Sequence, residues 1–528
     1  MNDRLLVVLS KLRYAANAIA PPNKLPPELL RAIFSYLCPD TRRDWEVERT
    51  PPYAYLLAVS RVCRHWRDIA VSATELWTYI IFAASGNFPT EEEISIARLC
   101  TSRSGVRPLD FFYTSLHSDF LRAEELIPDR RRLRSLVYGY TDRNSGDKLV
   151  SFLLTASHLE RLEIRGDASF SLPTLFSDAA PPPLRELVIA RCTPWPNNQF
   201  GSLTSLILLC QKDIDANIYS LLDALRCSPH LEELLLEREF RPYTEPQQSP
   251  GLNVLPIPLH SLKKLHICRL SVRTTGRLLG ALDLHSNRVF MRFTNISADL
   301  GSIFTEGVMP GVSPRIATKV ELVYPSTGGM ILHATNGIAY TRLAYRYLPR
   351  HCELLDWIAE RPGVDHPLKE LWLHIDQDVH YVVPPPSALR DLETLVIETD
   401  PNERFNLAFF LMFSPDKDGV PSPLLSTLEL RNVFGVEAFG NVLKARSDAG
   451  SRLRTLRIRW FEGCEARMAP LVQFVDKLDF YRVADQKSRG LELPGECMTK
   501  SRWWEPWSRK FAGEMECEPG RWGLHEMW

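Results

Sequence analysis

A phrase of the form Leu-x-x-Leu-x-apolar recurs along most of the chain and restricts its fold more than any other feature. Its copies begin at residues 133, 159, 184, 203, 231 and 262, and again at 368, 392, 425 and 453. Alternating apolar residues are typical of a β-strand, in which successive side chains point to opposite faces. We therefore predict a short strand at each copy, with residues such as Leu162 and Ile164 turned toward a core.

The spacing of the copies indicates how the strands are connected. Neighbouring copies lie 19 to 33 residues apart on either side of a gap at 268–367. The phrase and its period resemble the leucine-rich repeat, in which stacked coils bury an aliphatic column that no single coil could form. The resemblance implies an α/β fold, with an irregular solenoid over residues 83–484. Its parallel strands would form the concave side and its helices or loops the convex side.

Helices are predicted between the phrases, and two weaker strands within the gap. Apolar residues recur at helical spacing in 218–225 and in 436–443, which favours helices there. Between 268 and 367 the phrase degenerates, although residues 289–293 and 320–322 could form weak strands. We expect about ten to thirteen coils in all.

The segment from residue 24 to residue 80 has a second distinctive pattern. It opens KLPPELLRAIFSYL and, after a charged insert at 40–52, closes LLAVSRVCRHWRDIAVSATELWTYI. Apolar residues recur at helical spacing in both parts, and a helix tolerates prolines at its first turn. These residues resemble an F-box of the type common in mushroom-forming (basidiomycete) fungi. Residues 99–114, LCTSRSGVRPLDFFYT, resemble the segment that usually follows it.

The F-box resemblance implies a partner and a role. F-box proteins bind a small Skp-family adaptor and, through it, a cullin, and act as substrate-recognition adaptors of Skp–cullin–F-box ubiquitin ligases. We expect the repeats to bind an unknown target protein. The resemblance assigns adaptor binding to Leu25, Pro26, Leu29, Leu30, Ile33 and Leu37. It assigns a packing role to Val62, Trp66 and Trp77, which would hold the helices together and join them to the repeats.

The outward positions of the predicted strands are candidate contacts for the target. They include an apolar strip, an exposed tryptophan and arginines that could bind an anion. The residues concerned are Val188, Ile207, Leu209, Leu235, Trp372, His374, Arg431, Arg457 and Arg459. Exposed apolar residues on such a face favour protein recognition. The alternative, that another segment of the chain packs across the strip, agrees equally well with the pattern.

Composition and charge limit the classes of partner. Apolar residues make up 45% of the chain and charged residues 24%, and the formal net charge is −1. These values are typical of a folded soluble protein and give no reason to expect nucleic acid or a membrane as a partner. Eleven cysteines without CxxC spacing predict reduced thiols and a cytoplasmic or nuclear location. One of them, Cys192, occupies the position where the repeat often carries Asn or Cys.

No catalytic motif, cofactor site or metal site is predicted. The chain carries no GxSxG, HExxH, P-loop or dinucleotide-binding fingerprint. His374, Asp376, Asp378 and His380 would share one face of a strand and could hold a metal, but a solvated turn explains them more simply. We therefore predict a non-enzyme without a cofactor. Two alternatives stay open: an F-box scaffold that acts outside a ubiquitin ligase, and an uncharacterised enzyme.

These patterns divide the chain into four parts. Residues 1–20 form an N-terminal extension, 21–82 the helical F-box-like domain and 83–484 the repeats. Residues 485–528 carry five of the twelve tryptophans. We expect this last part to be a tail or a cap on the last coil, because a repeat array needs its terminal edge covered. An aromatic anchor for a partner is the alternative.

Overall fold

The structure is a computed structural model that describes the chain in segments. The described residues are 2–37, 52–83, 90–115, 125–140, 145–170, 175–176, 181–192, 199–212, 214, 218–239, 255–284, 289–294, 319–324, 330–335, 340–345, 368–375, 389–399, 413–415, 419–431, 437–459, 468–481 and 494–498. They belong to two compact units. The first holds the described residues up to 212 together with 219–228, and the second holds those from 229 to 498 together with 214 and 218.

The first unit begins with helices and continues as a parallel sheet. Its helices are α1 (Asn2–Ile19), α2 (Pro27–Leu37), α3 (Pro52–Val62), α4 (Arg64–Ser72), α5 (Glu91–Arg103), α6 (Ser145–Leu153) and α7 (Ile218–Arg226). Its strands are β1 (Tyr79–Ala83), β2 (Leu109–Ser115), β3 (Leu133–Tyr140), β4 (Arg161–Phe170), β5 (Glu186–Cys192) and β6 (Ser205–Gln211). The strands lie side by side in chain order, and each pairs with the next in parallel.

Helices α2, α3 and α4 pack around a small apolar core. Leu30 and Phe34 of α2 are buried, and the Phe34 ring lies 5.3 Å from that of Trp66 in α4. Cys63 separates α3 from α4, because its extended backbone ends one helix while its sulfur accepts a hydrogen bond from the Trp66 N–H and caps the next. Trp77 is buried, and its indole nitrogen donates to the carbonyl oxygen of Ala70 at 2.8 Å.

An aromatic column joins these helices to the sheet. The Phe82 ring of β1 stacks on Tyr113 of β2 with centroids 5.3 Å apart, and Tyr113 stacks on Tyr138 of β3 at 5.7 Å. All three side chains are buried. Strand β1 also contacts α3 and α5. The helical region therefore ends in the first strand of the sheet and shares its core, so it is attached by packing as well as by the chain.

The strands of the first unit align with their apolar residues in register. Leu162, Leu187 and Leu206 face one another on β4, β5 and β6, and all three are buried. Gln211 follows Leu208, the last residue of its phrase, by three residues, as Cys192 follows Ile189. Its side-chain nitrogen donates to the carbonyl oxygens of Ile189 at 2.9 Å and Leu209 at 3.0 Å. Gln211 thus ties one strand end to its neighbour, a role that the sequence did not reveal.

The second unit is also built on a mostly parallel sheet. Its helices are α8 (Val272–Ala281), α9 (Glu437–Asp448) and α10 (Gly495–Met498). Its strands are β7 (Glu233–Arg238), β8 (Ile257–Pro258), β9 (Lys264–Cys268), β10 (Leu282–Asp283), β11 (Phe290–Thr294), β12 (Lys319–Tyr324), β13 (Met330–Thr335), β14 (Tyr340–Tyr345), β15 (Glu370–Ile375), β16 (Thr394–Thr399), β17 (Thr427–Arg431), β18 (Leu453–Arg459) and β19 (Val475–Tyr481). The short β8 and β10 form a separate parallel pair.

Three strands in the middle of this sheet depart from chain order. Strand β11 pairs with β9 and with β14, β14 with β13, β13 with β12, and β12 with β15. Strand β13 runs antiparallel to both of its neighbours, whereas the flanking pairs are parallel. From β15 to β19 the strands again pair in parallel and in order. The expectation of parallel strands throughout was therefore wrong at β13.

The structure confirms the predicted strand positions. Each of the ten phrases contains or leads into a strand. The two weak strands expected in the gap are β11 and β12, whereas β13 and β14 were not predicted. Helices α7 and α9 cover the two segments with helical spacing. The tryptophans of 503–528 lie outside the described residues, and in the described part no helix is long and apolar enough to cross a membrane.

Candidate functional site

One face of α2 presents apolar side chains to solvent. Leu29, Ile33 and Tyr36 recur at i, i+4 and i+7, which places them on the same side of the helix. Their side chains are 52%, 43% and 87% exposed. Leu30 and Phe34, which directly follow Leu29 and Ile33 in the chain, are buried. The helix therefore divides its apolar residues between an internal face and an external one, and an external apolar face of this kind is a candidate partner site.

The predicted adaptor-binding residues differ in how exposed they are. Pro26 is exposed and Leu25 half-buried at the entry to α2, next to the Leu29 and Ile33 face. Leu30 is in the helical core and is not available at the surface. The side chain of Leu37 lies outside the described residues. Tyr36 was missed, although its position seven residues after Leu29 was the signal that could have found it.

Of the three residues predicted to hold the helices together, two are in contact with other helices and one is exposed. Trp66 and Trp77 do so, through the Phe34 ring and the Ala70 carbonyl. Arg103 of α5 lies over the Trp77 ring, with its guanidinium carbon 4.4 Å from the ring centroid, a favourable cation–π geometry. Val62, in contrast, is exposed. It ends α3 with its side chain in solvent, so its predicted packing role was wrong.

Most of the predicted target-binding face is buried. Val188, Ile207, Leu209 and Leu235 are almost completely inaccessible. Of the two interpretations of this apolar strip, the structure supports burial over exposure. Trp372, which we expected to be exposed, is 9% exposed. Its indole nitrogen donates to Glu370 at 2.6 Å.

A network of charged side chains covers one face of β15 to β19. We call it the charged patch, and its members are Trp372, His374, Glu398, Glu429, Arg431, Arg457, Arg459, Asp479 and Tyr481. The Trp372 ring lies close to two of these groups. Its centroid is 6.4 Å from that of His374, with the rings stacked, and 5.0 Å from the guanidinium carbon of Arg431.

Two carboxylates hold the centre of the charged patch together. Glu398 Oε2 lies 3.2 Å from both His374 Nδ1 and Arg431 Nη1. Glu429 Oε1 accepts hydrogen bonds from Arg431 Nε at 2.7 Å and from the Tyr481 hydroxyl at 2.8 Å. Burial and the Glu429 carboxylate raise the pKa of Tyr481, so its hydroxyl stays protonated and donates. Arg431 therefore forms its ion pairs with Glu398 and Glu429 inside the charged patch.

The open side of the charged patch, by which we mean its solvent-accessible arginines Arg457 and Arg459, lies on β18. Arg457 is 48% exposed, and its guanidinium stands 3.9 Å from Glu429 and from Asp479. Arg459 is less exposed and lies 3.6 Å from Glu398. These distances are longer than the 2.7 Å bond of Arg431 and leave the two cations weakly held. Of the three arginines predicted to bind an anion, Arg457 and Arg459 are the ones placed to do so.

The ionisation of Glu398 should make the free energy of unfolding of the second unit depend on pH. Burial opposes its ionisation, but the hydrogen bond and charge of His374 and the Arg431 guanidinium outweigh burial and lower its pKa from 4.5 to about 2. A depressed pKa contributes stability above pH 4.5 and loses it as the pH falls through 2. We expect Glu398→Gln to lower the free energy of unfolding at pH 7 by about 2–3 kcal/mol.

Denaturant titrations between pH 2 and pH 7 would measure this effect. The difference between wild type and Glu398→Gln should shrink as the pH falls from 4.5 to 2. Glu393→Gln is the matched control, because Glu393 forms a half-exposed bridge to Lys369 at 3.0 Å, and such bridges contribute less than about 1 kcal/mol. Equal losses in the two variants, or a difference that does not depend on pH, would contradict the role of Glu398.

The possible metal cluster receives no support from the described residues. His374 points to Glu398 in the charged patch, whereas Asp376, Asp378 and His380 lie outside the described part of the chain. Within the part that is described, no three His, Cys, Asp or Glu side chains are grouped as metal ligands.

Comparison with known proteins identifies the N-terminal region. The family model described as F-box-like matches residues 22–83. This range contains α2, α3, α4 and β1, and thus the exposed face of Leu29, Ile33 and Tyr36. A search of curated proteins found no match. The predicted F-box resemblance is therefore confirmed for this range, whereas the leucine-rich repeats and the fungal type stay predictions.

Proposed function

We propose that this chain is a substrate adaptor of a Skp–cullin–F-box ubiquitin ligase, in which the F-box-like helices bind a Skp-family adaptor. The observation that carries the proposal is the exposed face of Leu29, Ile33 and Tyr36 within the matched range 22–83. F-box domains typically bind Skp-family adaptors. An apolar face on a helix whose opposite side is buried fits recognition by a partner groove better than it fits a structural cap.

In this proposal the sheet region is a leucine-rich-repeat array that binds the target protein. Three features support the repeat assignment: the recurring phrase, the register of its leucines across strands, and a shared turn at the strand ends. Arg191, Cys210 and Arg269 each have a positive φ, near 59°, 50° and 61°, and each lies two residues after the last residue of its phrase. A left-handed residue is unusual outside glycine, so its recurrence indicates one repeated unit.

The mechanism would be proximity rather than chemistry on this chain. The F-box-like helices would hold the adaptor and cullin, and the repeats would hold the target. Ubiquitin transfer by a recruited conjugating enzyme then becomes effectively intramolecular, and its rate follows the effective concentration. No catalytic residue of this chain is required, and we propose that it is not an enzyme.

The target is proposed to contact the open side of the charged patch. Its exposed cation, Arg457, can turn toward an acidic segment of a target, because its two internal carboxylates are 3.9 Å away. The buried members Trp372, His374 and Arg431 would hold β15 to β17 in place beneath it. Charged side chains on such a surface select the partner more than they add affinity.

Charge reversal at Arg457 tests this assignment. We expect Arg457→Glu to weaken binding of the target at least about tenfold, while the Skp-family adaptor and cullin stay bound. The measurement is comparative mass spectrometry of proteins that co-purify with the whole chain, followed by ubiquitylation of each candidate with reconstituted ligase.

Arg454→Glu is the matched control, since Arg454 is exposed near the start of the same strand. It introduces the same change of charge outside the charged patch. A target that is captured and ubiquitylated equally well by wild type and by Arg457→Glu would contradict this surface.

A further inference from the structure

Helix α1, which precedes the matched F-box-like range, carries an apolar stripe. Leu5, Val8, Leu9, Leu12 and Ile19 recur at i, i+3, i+4, i+7 and i+14, so they follow one side of the helix over four turns. All five side chains are exposed. We call this set the α1 stripe. It has the spacing with which an amphipathic helix binds a hydrophobic groove.

Within the described residues, helix α1 has little packing that would keep it folded. Among the described elements, the one that it packs against appreciably is the adjacent turn, residues 21–24. An isolated helix of 18 residues is marginally stable in water, because most helical stability comes from burying an apolar face. The α1 stripe therefore calls for a partner that covers it.

The charge around the α1 stripe indicates what kind of partner this is. Helix α1 has a net charge of +2, and residues 2–37 with 52–77 together have a net charge of +4, against −1 for the whole chain. The basic residues are Arg4, Lys11, Arg13, Lys24, Arg31, Arg61, Arg64 and Arg67. A groove with an acidic rim is complementary to this surface. A second copy of α1 is not, because it would bring two positive helices together.

Continuity with the F-box-like face indicates which protein carries the groove. Residues 20–26 connect α1 to α2, and Asn23 ties this connection to α1 through a hydrogen bond from its side-chain nitrogen to the Asn17 carbonyl oxygen at 2.6 Å. The α1 stripe ends at Ile19, ten residues before Leu29, so a short segment of chain connects it to a protein docked on Leu29 and Ile33. A tether this short gives the second contact a millimolar effective concentration.

We propose that α1 is a second docking segment for the Skp-family adaptor, with the α1 stripe in an apolar groove that has an acidic rim. This inference rests on the proposed function, since it assigns a further contact to the same partner. It makes the adaptor interface of this chain longer than the F-box-like helices alone. It also accounts for the exposure of the α1 stripe, which no described element covers appreciably.

Calorimetric titration of the full chain with the purified Skp-family adaptor of the same genome tests the inference. Leu12→Asp should weaken binding about 10- to 100-fold, because it places a carboxylate at the centre of an apolar contact. Tyr14→Asp is the matched control. Tyr14 is exposed two residues further on, and residues at i and i+2 do not share a face, so its binding should stay within about twofold of wild type.

Further measurements distinguish failure of the α1 proposal from failure of the proposed function. If Ile33→Asp abolishes binding while Leu12→Asp binds like wild type, the role of α1 is refuted and the proposed function stands. If the wild-type chain does not bind the adaptor, the proposed function fails. A wild-type dimer in sedimentation that Leu12→Asp dissociates would overturn the inference in favour of a second copy. A lowered melting temperature for Leu12→Asp would also overturn it, since α1 would then pack within this chain.

Discussion

We expect replacement of Ile33 with aspartate to weaken binding to a Skp-family adaptor more than about 100-fold. Ile33 lies between Leu29 and Tyr36 on the exposed side of α2. In a complex its side chain would be removed from water, and an unpaired carboxylate costs several kcal/mol there. The mutation should not unfold the helices, because Ile33 already contacts solvent. Isothermal titration of the purified adaptor into the full chain measures the loss.

A variant of the same helix controls for the added charge. Ser35 is exposed and its hydroxyl donates to the Ala32 carbonyl oxygen at 2.7 Å. It lies two residues from Ile33 and therefore on another face. Ser35→Asp should bind within about threefold of wild type. Retained binding in Ile33→Asp, or equal losses in both variants, would contradict the assignment of this face.

We expect truncation of Trp77 to alanine to destabilise the first unit by about 3–5 kcal/mol. This residue is the largest fully buried side chain of the described region, and its loss leaves a cavity next to Ala70 of α4 and Arg103 of α5, which its side chain contacts. The mutation also removes the hydrogen bond to Ala70 and the stacking of Arg103 over the ring. Denaturant unfolding followed by circular dichroism should show an earlier first transition, with weaker adaptor binding as a consequence.

Trp77→Phe separates the cavity from the polar contact. Phenylalanine keeps much of the ring volume but cannot donate to the Ala70 carbonyl oxygen, which is left buried. We expect a loss of about 1–3 kcal/mol. Trp77→Ala should remain the more damaging of the two. An alanine variant that unfolds at the same denaturant concentration as wild type would show that Trp77 does not hold the helices together.

The strands could be predicted because their signal is local. The phrase at each copy alternates over a few residues, and the apolar pairs that it defines, such as Leu162 and Leu187, do meet in register. The reversed order of β12, β13 and β14 could not be predicted, because strand pairing there depends on contacts between segments distant in the chain. No residue in that region carries the phrase that fixed the other strands.

The candidate sites were predicted less well, because periodicity does not determine burial. Leu29 and Leu30 are equally apolar neighbours, yet one is exposed and the other is in the core, since only the packing of α3 and α4 decides between them. Trp372 and Arg431 were correctly placed on one face, but they contact each other at 5.0 Å and are not open to a partner. Arg457 lies on the same face but is more exposed than Arg431 and lies farther from its carboxylate partners.

The most direct test of the central claim is affinity purification of the whole chain from a eukaryotic lysate, with mass spectrometry of the bound proteins. The account predicts recovery of a Skp-family adaptor and a cullin with wild type and Ser35→Asp, and loss of both with Ile33→Asp. Recovery of the adaptor without a cullin would instead favour a scaffold outside the ligase. Recovery of neither, from a folded and soluble chain, would contradict the claim that this protein is an adaptor of a ubiquitin ligase.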